Sequence, residues 1–199
     1  MTTSVVAEAA AAARRGELIV LPTDTVYGVG TRPDDPEATA RLFAAKSRPA
    51  GLTLPVLAAT VREAREVAAF DERADRLTDA CWPGPLTLVL PRTDRSAGWA
   101  LGGSADTVGV RVPAHPLARA ILAQAGPLAV SSANRSGRPP ARTCDELVRA
   151  FGDLVAVYLC QDEPLEGSPS TVLDLTHARA SLLREGSVSA ERITALLSG

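Results

Sequence analysis

Aromatic residues and lysine are both scarce in this chain. Phe, Trp and Tyr make up only 4% of its 199 residues, so the core must be built from Ala, Leu and Val, and the 46% hydrophobic content is enough to build one. A single lysine, Lys46, stands among 21 basic residues, and the rest are arginines. The cysteines, Cys81, Cys144 and Cys160, are odd in number and widely spaced. Their pattern argues against a disulfide framework and a cysteine zinc site, and makes a reducing cytoplasm the simplest location. No apolar run reaches the roughly 18 residues of a membrane-spanning helix. The opening stretch "MTTSVVAEAAAAARRGE" does not read as a signal peptide, because its arginines follow the apolar segment instead of preceding it. A formal charge of −2, with no basic tail, gives no sign of tight nucleic-acid or membrane binding and leaves weak, local RNA contact open.

Helical and strand patterns alternate along the chain. A helix is expected from about Ser4 to a stop at Gly16, followed by a buried strand, "ELIVL", at 17–21. Asp34, Asp35 and Pro36 open a second helix. "TLPVL" at 53–57 reads as a short strand. Thr60 and Glu63 form a capping box for a helix to about Phe70, and another helix runs from Asp71 to about Ala80. Strands are expected at 86–90 and 107–112. His115 and Pro116 start a helix reaching Gln124, and "GPLAV" leads into the polar run "SSANRSGRPPART". Thr143 and Glu146 cap a helix ending near Phe151. Three short strands follow, at 155–160, 171–175 and 181–184, and Ser189 starts a last helix with Ile193, Leu196 and Leu197 inward. Strands interleaved with helices predict an α/β sandwich with a mixed sheet, in one domain spanning 1–199.

Common catalytic signatures are missing: no phosphate-binding P-loop, no dinucleotide-binding glycine motif and no hydrolase nucleophile elbow. His115 and His177 lack metal-ligand spacing. What stands out is "LPTDTVYGVG", Leu21 to Gly30, where four hydrogen-bonding side chains directly follow an apolar run. Pro22 and the glycines predict that the run ends in a shaped turn. Polar groups at the exit of a buried strand are a usual way to build a site in an α/β protein. Other cationic and hydroxyl groups also gather at element ends: Lys46 and Arg48; Thr107 and Arg111 on one strand face; Ser131, Ser132, Asn134 and Ser136 in one loop; Ser170, Thr171 and Arg184. Such a set suits an anionic substrate with several oxygens. Lys46 stands out because an ammonium is a compact charge that a guanidinium fork does not reproduce.

These positions also spell a family pattern. "PTDTVYGVG", "KSRP", "WPGPLTLVL", "TVGVRVPAHP", "SSANRSGRP", "STVLDL" and "LLREG" occur in this order over about 16–187. Together they resemble the YrdC-like family of threonylcarbamoyl-AMP synthases in its short, single-domain form. The resemblance implies a twisted open α/β sheet around a large concave cavity. It also implies an enzyme, a nucleotidyltransferase, that converts L-threonine, bicarbonate and ATP to threonylcarbamoyl-AMP and diphosphate. Downstream tRNA threonylcarbamoyltransferase proteins then place the group on position 37 of tRNA. Mg²⁺ would accompany ATP, held mainly by phosphate oxygens. By motif, Lys46 and Arg48 resemble the nucleotide-phosphate pair and carry the catalytic assignment. Thr107, Ser132, Asn134 and Arg184 resemble further ATP contacts. Thr25, Arg111 and Ser170 resemble the threonine-binding residues, with Tyr27 on the pocket wall. Weak tRNA or double-stranded RNA contact is implied by the family. The match departs where many members carry an Asn-Pro pair and a later His: this chain has Leu52, Thr53 and Leu57. The departure keeps open a paralogue that binds or hydrolyses modified RNA, and a non-catalytic double-stranded RNA-binding module.

Overall fold

Nine strands form a single mixed sheet, and the computed structural model describes residues 2–47 and 51–198. In chain order the elements are α1 (Thr2–Arg14), β1 (Leu18–Leu21), β2 (Gly28–Thr31), α2 (Pro36–Lys46), β3 (Val56–Leu57), α3 (Val61–Val67), α4 (Glu72–Cys81), β4 (Leu86–Pro91) and β5 (Thr107–Arg111). They continue with α5 (Pro116–Ala125), β6 (Leu128–Ser132), α6 (Cys144–Phe151), β7 (Val155–Tyr158), β8 (Thr171–Asp174), β9 (Ser181–Arg184) and α7 (Ala190–Ser198). The strand order is β7-β1-β2-β6-β3-β5-β4-β8-β9. The pairs β1–β7, β3–β5 and β4–β8 are parallel and the other pairs antiparallel, so the expected mixed sheet is present.

Local chemistry explains the helix starts. Asp35 Oδ1 accepts from the Glu37 and Ala38 amides, with Pro36 at the first helical position of α2. Thr60 caps α3, Asp71 caps α4 and Thr143 caps α6, each accepting an amide three residues on. Glu63 and Glu146 reach back one residue further than a standard box, to the Ala59 and Arg142 amides.

Alternation along the strands divides the core in two. Val20, Val29, Val56, Leu88, Val110 and Leu173 face the larger cluster, which takes in the buried sides of α2, α3, α4, α6 and α7. Ile19, Leu21, Leu57, Leu128 and Val130 face the smaller cluster, against α1 and α5. In α1 the contact surface is largely alanine: Ala9, Ala12 and Ala13 are fully buried, and their small side chains let the helix lie close to the sheet. No helix among the described residues is long and apolar enough to cross a membrane.

Four expectations need correction. Residues 28–31 are a strand, not the end of a turn: Gly28 and Gly30 pair with Ser132 and Val130. A Cβ on either glycine would lie 2.5 Å or 2.7 Å from the Val130 methyls, so the chain needs glycine there for close packing within the sheet. The strand expected at 53–57 shrinks to Val56–Leu57. The helix expected to reach Phe70 ends at Val67, because Ala68 turns extended and bridges to Arg92. Finally, Cys144 and Cys160 form a disulfide, with Cα atoms 5.5 Å apart; only Cys81 is a free thiol among the described residues. Parity and spacing failed as guides because pairing is set by tertiary proximity, here between the start of α6 and the chain just after β7.

Candidate active site

The sheet face covered by α1 and α5 turns polar beyond them. Across β3–β5, Leu57 pairs with Arg111; across β2–β6, Gly28 pairs with Ser132. Thr87 on β4 joins this face. These residues form part of the wall of a cavity of about 270 Å³, which is completed by Thr23, Thr25, Tyr27, Asn134, Ser170 and Arg184 among others. Among the described residues, no acidic side chain lines it.

The "TDTVYG" segment leaves β1 as a turn stitched by its own hydroxyls. Thr23 Oγ1 donates to the Val26 carbonyl at 2.6 Å. Thr23 Oγ1 lies 2.9 Å from Thr25 Oγ1. Its one proton is already committed, so Thr25 is the donor of that pair. Arg111 Nη1 in turn donates to Thr25 Oγ1 at 3.0 Å. The Thr25 hydroxyl therefore has only acceptor capacity left to offer a ligand. Tyr27 is fully buried, and its Oη accepts the Gln161 amide at 2.9 Å. It ties the turn to the 161–169 segment.

Arg111 is held on three sides. Nε donates to the Gly84 carbonyl at 2.9 Å, and Nη2 pairs with Asp24 Oδ1 at 2.6 Å. With Thr25, these contacts take three of its five N–H groups and leave two for a ligand. Burial pushes its guanidinium below the ordinary arginine value, Asp24 pulls it back up, and the like charge of Arg184 adds to the lowering. It stays charged at any ordinary pH. Arg184 stands at the more open rim, donating to Ser170 O at 3.0 Å and Ser170 Oγ at 3.1 Å. Partial burial pushes its guanidinium down as well. Ser170 Oγ also lies 2.9 Å from Thr87 Oγ1. A buried, carboxylate-paired arginine and a rim arginine bonded only to neutral oxygens thus face one cavity. This is chemistry for accepting anions.

Thr25, Tyr27, Arg111, Ser132, Asn134, Ser170 and Arg184 are therefore brought together. Thr107 is not on this wall: it begins β5, four residues from Arg111, and its carbonyl accepts Arg92 Nε at 2.9 Å. Lys46 is also off the wall. It is 1% exposed, and its Nζ donates to the Ser132 and Asn134 carbonyls from beneath. Arg48 lies outside the described residues. Sequence reasoning gave no role to Thr87 or to the ion-pairing of Asp24. Thr87 had a signal, a lone hydroxyl alternating inside the apolar run "LTLVL". Asp24 had none, because its partner is 87 residues away.

Fold and cavity define an α/β protein with a small-molecule site built from arginines and hydroxyls. A family model described as "Telomere recombination" (Sua5, YciO and YrdC) matches residues 11–186, and the chain belongs to this family. A threonylcarbamoyl-AMP synthase of Chromohalobacter salexigens is 41% identical over 176 residues, covering 85% of this chain and 92% of that one. The solved structure of Pyrococcus abyssi Sua5 complexed with L-threonine matches with a TM-score of 0.87 at 35% identity, over 96% of this chain and 57% of that one. Escherichia coli YciO matches with a TM-score of 0.88 at 26% identity, over 97% and 94%.

Proposed function

We propose that this protein is an L-threonylcarbamoyl-AMP synthase, folded as one domain over 1–199. The observation that carries the reading is the convergence of Arg111, Arg184 and the hydroxyls of Thr25, Ser132 and Ser170 on one cavity, in a chain 41% identical to a protein of that name. Threonine's amine first becomes a carbamate by adding to bicarbonate-derived carbon dioxide. A carbamate oxygen then attacks the α-phosphorus of ATP, and diphosphate leaves. Both steps gather negative charge and need no side-chain nucleophile, so placement and cations supply the catalysis.

In this reading the two open N–H groups of Arg111 hold the threonine carboxylate, with Thr25, Tyr27 and Ser170 around it. Arg184, Ser132 and Asn134 face the nucleotide. Lys46 supports the Ser132–Asn134 turn, and Thr107 and Arg48 are kept as ATP contacts on the motif alone. Among the described residues, no group of three or more His, Cys, Asp or Glu could hold a metal ion. Mg²⁺ would accompany ATP, held mainly by phosphate oxygens and offsetting their charge. The product would pass to the proteins that modify position 37 of tRNA in the cytoplasm, with tRNA contact weak at most.

Leu57 favours a second reading. It lines the cavity, at a position where the family resemblance implies a His, and this departure is what a paralogue that binds or hydrolyses modified RNA would rest on. Diphosphate release assayed with and without L-threonine and bicarbonate separates the two. Release that requires both supports the synthase. Orthophosphate alone, under every amino-acid condition, rules it out.

A further inference from the structure

Asp24 belongs to neither the cavity wall nor any catalytic assignment, yet it is the only carboxylate that meets Arg111 among the described residues. Its Oδ1 accepts from Arg111 Nη2 and also from the Ala114 amide at 2.9 Å. Its Oδ2 is buried with no hydrogen-bond partner among the described residues. The side chain of Arg111 is 6% exposed and that of Asp24 16%, so water screens the pair weakly. Arg184 has no such counter-charge: both its bonds go to Ser170.

This asymmetry gives the two ends of the cavity different charge. At the rim, Arg184 presents a net positive charge, suited to phosphate. Around Arg111 the guanidinium and the Asp24 carboxylate cancel. What remains there is a dipolar surface: two N–H donors on Arg111 and a Thr25 hydroxyl that can only accept. A ligand matched to that surface is itself neutral overall, with an anionic acceptor end and a cationic donor end.

We propose that Asp24 is a specificity-determining residue acting through Arg111: by cancelling its charge, Asp24 makes the inner end of the cavity select a zwitterionic amino acid over a bare carboxylate or phosphate. The inference rests on the threonine reading above and adds how that end rejects other anions. Without Asp24 the cavity would hold two uncompensated guanidiniums within range of each other, and any small anion would compete there for the amino-acid position.

The test is a pair of binding measurements by isothermal titration. The probes are L-threonine and (R)-3-hydroxybutyrate, which has the same skeleton without the amine. Wild type binds L-threonine and discriminates against 3-hydroxybutyrate. In Asp24→Asn, whose amide oxygen can still accept from Arg111 and Ala114, that preference falls at least about tenfold, or roughly 1.4 kcal/mol, because threonine weakens while 3-hydroxybutyrate tightens. Asp24→Glu keeps the charge and keeps the preference. If both ligands weaken in proportion in Asp24→Asn, Asp24 merely supports the loop and the proposal fails. An unchanged preference also overturns it. Asp24→Ser replaces Asp24→Asn if the latter loses the wild-type circular-dichroism spectrum, and loss of the fold in both overturns the proposal. Wild type that binds no threonine overturns the threonine reading itself, and this inference with it.

Discussion

Gly167 packs directly on the Thr25 carbonyl, so closely that a Cβ at position 167 would collide with it. The segment between Cys160 and Ser170 is thereby laid across the "TDTVYG" turn, and its end, Pro169 and Ser170, becomes cavity wall. Gly167→Ala should push the segment off the turn and raise the dissociation constant for L-threonine at least about tenfold. Gly98→Ala is the control, since a Cβ there meets nothing within 4 Å. Titration of both variants decides it: equal affinities would mean that the segment gives way without disturbing the site.

Lys46→Met removes the ammonium from beneath Ser132 and Asn134: the Asn134 carbonyl loses the Lys46 donor, while the Ser132 carbonyl keeps the Asn134 amide at 2.9 Å. An unsatisfied buried acceptor costs about 1–3 kcal/mol, so the urea unfolding free energy should drop by roughly that amount. Lys46→Arg keeps the charge but forces a wider head group into a site 1% exposed, and should also lose stability. Steady-state diphosphate release should fall at least about tenfold in both variants, because the Ser132–Asn134 turn moves. Wild-type stability and turnover in Lys46→Met would remove Lys46 from any supporting role.

Acid should act through Asp71. Although burial alone would raise its value, amide bonds from Ala74 and pairing with Arg73 bring its carboxyl below the ordinary 3.8. A lowered folded value means the contribution is complete above about pH 3.8 and is lost as pH falls through the folded value. Asp71→Ala should therefore cost about 1 kcal/mol at pH 7, as loss of a helix cap does. The gap to wild type should close below pH 3.8. A gap that persists unchanged at pH 2 in urea titrations would show that the charge is not what stabilises α4.

Reduction should loosen the wall. The Cys144–Cys160 bond spans a separation of 16 residues, for which loop-closure entropy gives about 3 kcal/mol. Dithiothreitol should lower the urea midpoint of wild type and leave Cys144→Ser unaffected. An equal response in both would dissociate the effect from this bond.

Much of this was legible in the chain because the signals were local. Asp35, Thr60, Asp71 and Thr143 announce helix starts through side chains that cap amides two or three residues away, and each does so in the structure. Seven of the ten candidate site residues meet at one cavity because their motifs sit at strand ends. What was hidden depended on distant partners. Nothing near Gly28 says that Val130 will press on it, and nothing near Cys144 says that Cys160 will lie beside it. The burial of Lys46 was unreadable for the same reason, since its acceptors are more than 80 residues away.

That buried lysine also sets how the molecule meets amine-reactive reagents. With no other lysine in the sequence and this one shielded, the folded protein offers such reagents little beyond the α-amino group of the chain. Acylation of Lys46 can proceed only as fast as the packing around it opens. The rate of mass gain at this one side chain, followed without competing sites, is thus a built-in gauge of local opening beneath the Ser132–Asn134 turn, and a ligand that clamps the turn should slow it.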